Sequence, residues 1–135
     1  AISSPAGYGG NAAEPRLLQH GRRLPDFQRF QRAFDHEKGF IVNLFFDYIC
    51  LTEELGEIGR VLKRVWHRQD ELLLQVGNRS EAHDRALQMV QPDLEEELAD
   101  ALAYLLKISN DAGIDLETAY IKKMDHNARR TWPPS

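Results

Sequence analysis

Two stretches of this chain repeat one arrangement of acids: Glu53-Glu54-Leu55-Gly56-Glu57-Ile58 and Glu96-Glu97-Leu98-Ala99-Asp100-Ala101. In each, two acids precede a leucine, and a small residue, a third acid and an apolar residue follow. At about 100° per residue on an α-helix, Glu54 and Glu57 fall on the same flank of Leu55 as Glu97 and Asp100 do of Leu98. One such pair is commonplace on the surface of an acidic helix; a pair repeated at matching wheel positions is less so. If the two apolar stripes pack together, the carboxylates converge, and their repulsion in a reduced dielectric calls for a cation. An all-oxygen donor set without histidine or thiolate suits Mg²⁺, with Mn²⁺ as an alternative. Gly56 and Ala99 would leave room for close helix approach and for retained waters.

Other chemistries find less support. A di-iron carboxylate bundle needs Glu-x-x-His on two helices, and no glutamate here has a histidine three residues on. His83-Asp84 lies in a weakly patterned segment without flanking partner histidines, and there is no glycine-rich phosphate loop of the Walker type. Cys50, the one cysteine, sits inside the apolar run Phe45–Leu51 and reads as a small core residue.

The acids need elements to hold them. Residues 1–25 carry Pro5, Gly7, Gly9, Gly10, Pro15, Gly21 and Pro25 without a sustained apolar period, which predicts a flexible or irregular arm. Asp26 reads as the N-cap of a first helix with Phe27, Phe30 and Phe34 at helical spacing, ending near Gly39. A second, long helix is expected from about Asn43 to about His67, its stripe formed by Leu44, Tyr48, Leu51, Leu55, Ile58, Leu62 and Val65. Gly77 and Asn78 look like a break, and Ser80 like the cap of a short helix through Val90. Asp93 with Glu96 resembles a capping box opening a third long helix that Gly113 closes. Asp115 then caps a last helix toward Asn127, before Pro133 and Pro134. No alternating β pattern competes, and the expected fold is an all-α, four-helix bundle in one domain over residues 26–133.

With 135 residues, a net charge of -4 and a pI of about 5.7, the chain offers no general basic surface for a nucleic-acid polymer. A small anion met by local charge remains compatible. No apolar stretch approaches the roughly 18 residues of a membrane span, and Ala1–Gly10 lacks the features of a secretory signal, so a cytoplasmic protein is expected.

Together, EELGE at 53–57, EELAD at 96–100 and the tail KMDHNARRTWP at 123–133 resemble the all-α nucleoside triphosphate pyrophosphohydrolases of the MazG and dCTP-pyrophosphatase type. The resemblance spans about residues 27 to 133. It departs from the family pattern at Thr131-Trp132, where a single tyrosine is usual before the proline, and it offers no motif for residues 68–92.

The resemblance implies that Glu54, Glu57, Glu97 and Asp100 are metal ligands and that Glu53 holds a further metal or orients and deprotonates the attacking water. It implies that Lys123, Asn127 and Arg130 meet substrate phosphates or sugar; Trp66 is a candidate for stacking on the base. The reaction implied is Mg²⁺-dependent hydrolysis of a nucleoside triphosphate, of the deoxy series in the first instance, to the monophosphate and pyrophosphate. A homodimer or homotetramer with sites completed across the interface is also implied, and the broad apolar faces of two helices suit it. The alternative is a non-catalytic helical scaffold or regulator that retains the bundle.

Overall fold

The computed structural model describes residues 21–135; residues 1–20, most of the expected arm, lie outside them. The described residues form four helices and no strand: α1 Leu24–Lys38, α2 Leu44–Val76, α3 Arg79–Asp111 and α4 Leu116–Ala128. The all-α expectation holds. Most helix ends carry the local chemistry that makes them end there. Asn43 Oδ1 accepts from the backbone N–H groups of Phe45 and Phe46 at 3.0 and 2.9 Å, and Asp115 Oδ1 accepts from Thr118 N at 3.1 Å. Gly39 closes α1 in the left-handed region at φ 65°, which a residue with a Cβ enters at a cost.

Three boundaries differ from expectation. The first helix starts at Leu24, with Arg23 as N-cap. Asp26 instead lies in the first turn, where its carboxylate accepts from Arg23 N at 3.0 Å. α2 does not stop near His67 but runs to Val76, because Leu72 is buried and Leu73 and Val76 pack on the core. The expected break at Gly77 is real, yet the cap beyond it is Asn78, accepting from Glu81 N at 3.0 Å, rather than Ser80.

From Arg79 the chain then forms one 33-residue helix in place of two. Pro92 sits inside it. A proline there forfeits one helical hydrogen bond and crowds the preceding turn, a cost of about 3 kcal/mol in isolation. Burial of Ala82, Ala86 and Val90 before Pro92, and packing of Leu94 after it, hold both segments to the same partner helix while the ring faces solvent. Asp93 is consequently not a cap; its carboxylate pairs with Arg64 of α2 at 2.7 Å.

α2 and α3 form a long antiparallel hairpin, and α1 packs against α3 and α4 against α1. The hairpin core sets Val61, Val65 and Leu72 against Ala82, Ala86 and Val90. The alanines let the two backbones approach. The anticipated meeting of the two stripes occurs only in part: Val65 lies in the hairpin core and Leu94 packs on it, whereas Leu55 is 55% and Leu98 51% exposed. The seam lies to one side of those leucines, along the line that carries Glu54, Val61 and Val65, so the acids face the partner helix directly.

α1 docks through polar groups. Its buried residues are Gln28, Gln31 and Asp35. Gln28 Nε2 donates to Asn110 Oδ1 at 3.1 Å and to the Ile114 carbonyl at 2.8 Å, while its Oε1 accepts from Leu116 N at 3.0 Å. This one side chain therefore joins α1 to the end of α3 and the start of α4.

Candidate metal centre

Each acidic motif is placed on the hairpin seam by the apolar residues next along its own helix. Val61 and Val65 anchor the turns after Glu54, and Val90 and Ala101 bracket Glu97 and Asp100 on α3. Oxygen atoms of Glu54, Glu97 and Asp100 lie within 4.8 Å of one another, each residue half-buried. Oε2 of Glu54 is sealed from solvent and has no hydrogen-bond partner among the described residues. A buried carboxylate oxygen without a donor is costly, and a cation would satisfy it.

The electrostatics agree with the geometry. Burial first, then proton sharing with the Glu97 carboxyl and the charges of Asp100 and Glu97, push the Glu54 carboxyl up to about 7 from 4.5. All donors are carboxylate oxygens, which fits a hard divalent cation and disfavours a soft one.

The remaining candidates are distributed less tightly. Glu57 lies on the same helix one turn from Glu54 but forms an ion pair with Arg60. Glu53 is exposed beside the cluster. Trp66 is 67% exposed and lines a shallow hollow with Gly59, Leu62, Lys63 and His67. Lys123 and Arg130 are exposed on and after α4. The Arg130 guanidinium lies 4.3 Å from the Trp132 ring centroid, and Trp132 Nε1 donates to the Asn127 carbonyl at 3.2 Å. The Thr131-Trp132 departure thus has a local role: the indole folds back on the tail. Asn127 Oδ1 is buried and has no partner among the described residues. α4 packs mainly on α1, and among the described residues no hydrogen bond or ion pair joins this tail to the acidic cluster of its own chain.

Several neighbours of the cluster were not singled out by spacing. Tyr104, one turn beyond Asp100, is half-buried; burial, the Cys50 thiol beside it, and the charges of Glu54 and Asp47 push its phenol up to about 12. Cys50, expected in the core, is half-buried at this contact. Asp47, within the apolar run Phe45–Leu51, is 1% exposed, and neither of its oxygens has a hydrogen-bond partner among the described residues. Burial raises its pKa, the Lys107 charge opposes the rise, and Asp35 and Asp111 reinforce it. Lys107 in turn pairs with Asp35 at 3.5 Å and lies 4.9 and 5.1 Å from the ring centroids of Phe40 and Tyr104. A charged residue inside an apolar run was the available signal for Asp47; nothing local announces Lys107. His83 meets Gln69, at 2.9 Å, and joins no cluster of metal-ligating groups among the described residues.

A cleft of about 650 Å³ opens beside the cluster, between α1 and α3, with Asp100 on its wall together with Phe30, Gln31, Phe34, Ala99 and Ala103. Phe30 and Phe34 stack with centroids 5.7 Å apart. The volume falls within the range of small-molecule sites. On the other side of Glu97, a second hollow of about 380 Å³ is bordered by Arg60, Arg64, Asp93 and Glu96. The arrangement is an acidic centre between an aromatic cleft and an arginine-bordered one.

No helix is long and apolar enough to cross a membrane among the described residues. Comparison with curated proteins and with solved structures gives no match. The model of the MazG nucleotide pyrophosphohydrolase domain matches residues 48–132, a span that holds both acidic motifs, all but the first turn of the hairpin and nearly all of the tail but begins after α1. The chain therefore belongs to the MazG nucleotide pyrophosphohydrolase family, and with it to an all-α class of nucleotide-hydrolysing domains.

Proposed function

We propose that this protein hydrolyses a nucleoside triphosphate, a deoxynucleoside triphosphate in the first instance, to the monophosphate and pyrophosphate, as housekeeping of the nucleotide pool. The observation that carries the reading is the convergence of Glu54, Glu97 and Asp100, one of whose buried oxygens lacks a donor among the described residues. Glu54, Glu97 and Asp100 would hold Mg²⁺ or Mn²⁺, with Glu57 joining once its pair with Arg60 opens. Such a metal supplies positive charge for the phosphates and lowers the pKa of a bound water.

The chain's own groups have the remaining work. Glu53, exposed next to the cluster, takes the proton of the attacking water. The aromatic cleft receives the nucleoside, since its wall runs from Asp100 to Phe30 and Phe34. Arg60, released from Glu57, complements charge on the leaving pyrophosphate.

Lys123, Asn127 and Arg130 serve the site of a second copy rather than their own. Support comes from the uncovered apolar surface: Leu55, Leu62 and Trp66 of α2, Leu98, Leu102 and Leu105 of α3, and Tyr120, Ile121 and Met124 of α4 are all exposed. Surface of this kind is covered in an oligomer, a homodimer or a dimer of dimers. Trp66 then stands at that interface, where it can stack on a nucleobase or on the partner.

The test is a panel of ribo- and deoxynucleoside triphosphates with Mg²⁺, read by pyrophosphate release. Turnover of one or more, abolished by a chelator and restored by Mg²⁺ or Mn²⁺, is expected. Release of orthophosphate in place of pyrophosphate would contradict the reading.

A further inference from the structure

The cleft beside Asp100 has one polar side chain from α1 on its wall, and the orientation of that side chain is determined by its neighbours. Gln31 is 7% exposed and lines the cleft with Phe30 and Phe34. Its Nε2 donates to Asp35 Oδ1 at 2.8 Å, and the same Asp35 oxygen is 3.5 Å from the Lys107 ammonium. Asp35 and Lys107 are themselves almost fully enclosed, with side chains 7% and 11% exposed.

An aspartate paired with an enclosed ammonium is ionised, and an ionised carboxylate only accepts hydrogen bonds. The amide of Gln31 must therefore turn its nitrogen to Asp35 and its oxygen away. The usual ambiguity between the two ends of a glutamine amide is removed by chemistry. Among the described residues no donor meets that oxygen, and it is not sealed from solvent. The cleft is thus offered a fixed acceptor, held by a relay from Lys107 on α3 through Asp35 to Gln31 on α1.

We infer that Gln31 is a base-reading residue and that it selects bases carrying an exocyclic amino group over their oxo counterparts: cytosine over uracil, adenine over hypoxanthine. This inference rests on the reading that the cleft receives the nucleoside. An amino group donates to the Gln31 oxygen, whereas an oxo group sets two acceptors face to face in a partly desolvated cleft and leaves both unpaired. Phe30 and Phe34 supply flat apolar surface that any base would use; Glu95, Glu96 and Asp100 border the cleft from α3, and among its uncharged lining residues Gln31 alone carries a side-chain hydrogen-bonding group. Asp35 is a positioning residue: it touches no substrate and acts by denying Gln31 the flipped orientation.

The experiment compares two matched pairs, dCTP with dUTP and dATP with dITP, each differing by one amino-to-oxo exchange, on the full-length protein with Mg²⁺. The amino member of each pair is expected to have the higher kcat/KM by at least about tenfold. Asp35→Asn, which can donate as well as accept, frees the Gln31 amide to turn over; the ratio should then fall toward one, through KM rather than kcat. Gln31→Met, similar in volume and unable to hydrogen-bond, should also lose the preference. Wild-type ratios near one or inverted in both pairs would overturn the inference even if either variant failed to fold. An unchanged ratio in folded Asp35→Asn would overturn the relay. Failure to hydrolyse any of the four would instead sink the nucleotide reading of the cleft.

Discussion

In the metal-free protein the Glu54 carboxyl titrates at about 7, against 4.5 for an unperturbed glutamate, chiefly because of burial and then because of Glu97 and Asp100. That displacement corresponds to about 3 kcal/mol of unfavourable charge, an upper bound given the half-buried setting. Its sign fixes two pH dependences. The folded protein keeps a proton that the unfolded chain gives up. The associated stability is therefore complete below about 4.5, declines as pH rises toward about 7 and is gone above it. A divalent cation must displace the same proton. Its affinity should fall about tenfold for each pH unit below 7 and level off near pH 8.

Titration calorimetry with Mg²⁺ or Mn²⁺ from pH 5.5 to 8.5, in two buffers of different ionisation enthalpy, counts the protons released. Close to one proton is expected at pH 6 and close to none at pH 8.5. Glu54→Gln should abolish the release and weaken binding by about 10–100-fold. Affinity independent of pH across this range, or an unchanged proton count in the variant, would refute the reasoning.

Asp100→Asn and Glu57→Gln should each lower kcat/KM by about 10–100-fold with the helical circular dichroism spectrum intact; unaltered turnover in Glu57→Gln would leave the metal to Glu54, Glu97 and Asp100 alone. Asp47→Asn removes a buried carboxylate whose pKa is raised, so it should stabilise the fold by about 1 kcal/mol at pH 8 and by little at pH 4, read as a gain in Tm at the higher pH only. Leu98→Lys, placed on the exposed apolar face, should shift the mass seen by light scattering to that of one chain and reduce activity with it. A monomeric wild type would contradict the oligomer reading directly.

Much of this molecule is legible in its sequence where the signal is local. Asn43, Asp115, Gly39 and Gly113 mark helix ends by side-chain or backbone chemistry that needs no tertiary partner, and each stands at an observed end. Pro92 misleads because its helix-breaking cost is also local, whereas the packing that offsets it is spread over Ala86, Val90 and Leu94 against α2. The Leu55 and Leu98 stripes mislead differently. A helix with two apolar flanks gives no indication of which one meets its hairpin partner and which waits for another surface. The acid repeat survived that error, because Glu54 and Glu97 lie on the flank that does meet the partner helix. Lys107 was invisible for the opposite reason: it gains its meaning from Asp35 on another helix, as Gln31 does through that same aspartate, while Asp47 gave only the signal of a charge inside an apolar run.

The central claim is that this acidic hairpin cleaves a triphosphate between its α- and β-phosphorus atoms. Phosphorus NMR of the products, with the intact protein, Mg²⁺ and dCTP, tests it most directly. The account predicts monophosphate and pyrophosphate resonances growing together, and neither with Asp100→Asn. Diphosphate and orthophosphate resonances, or equal turnover by that variant, would contradict it.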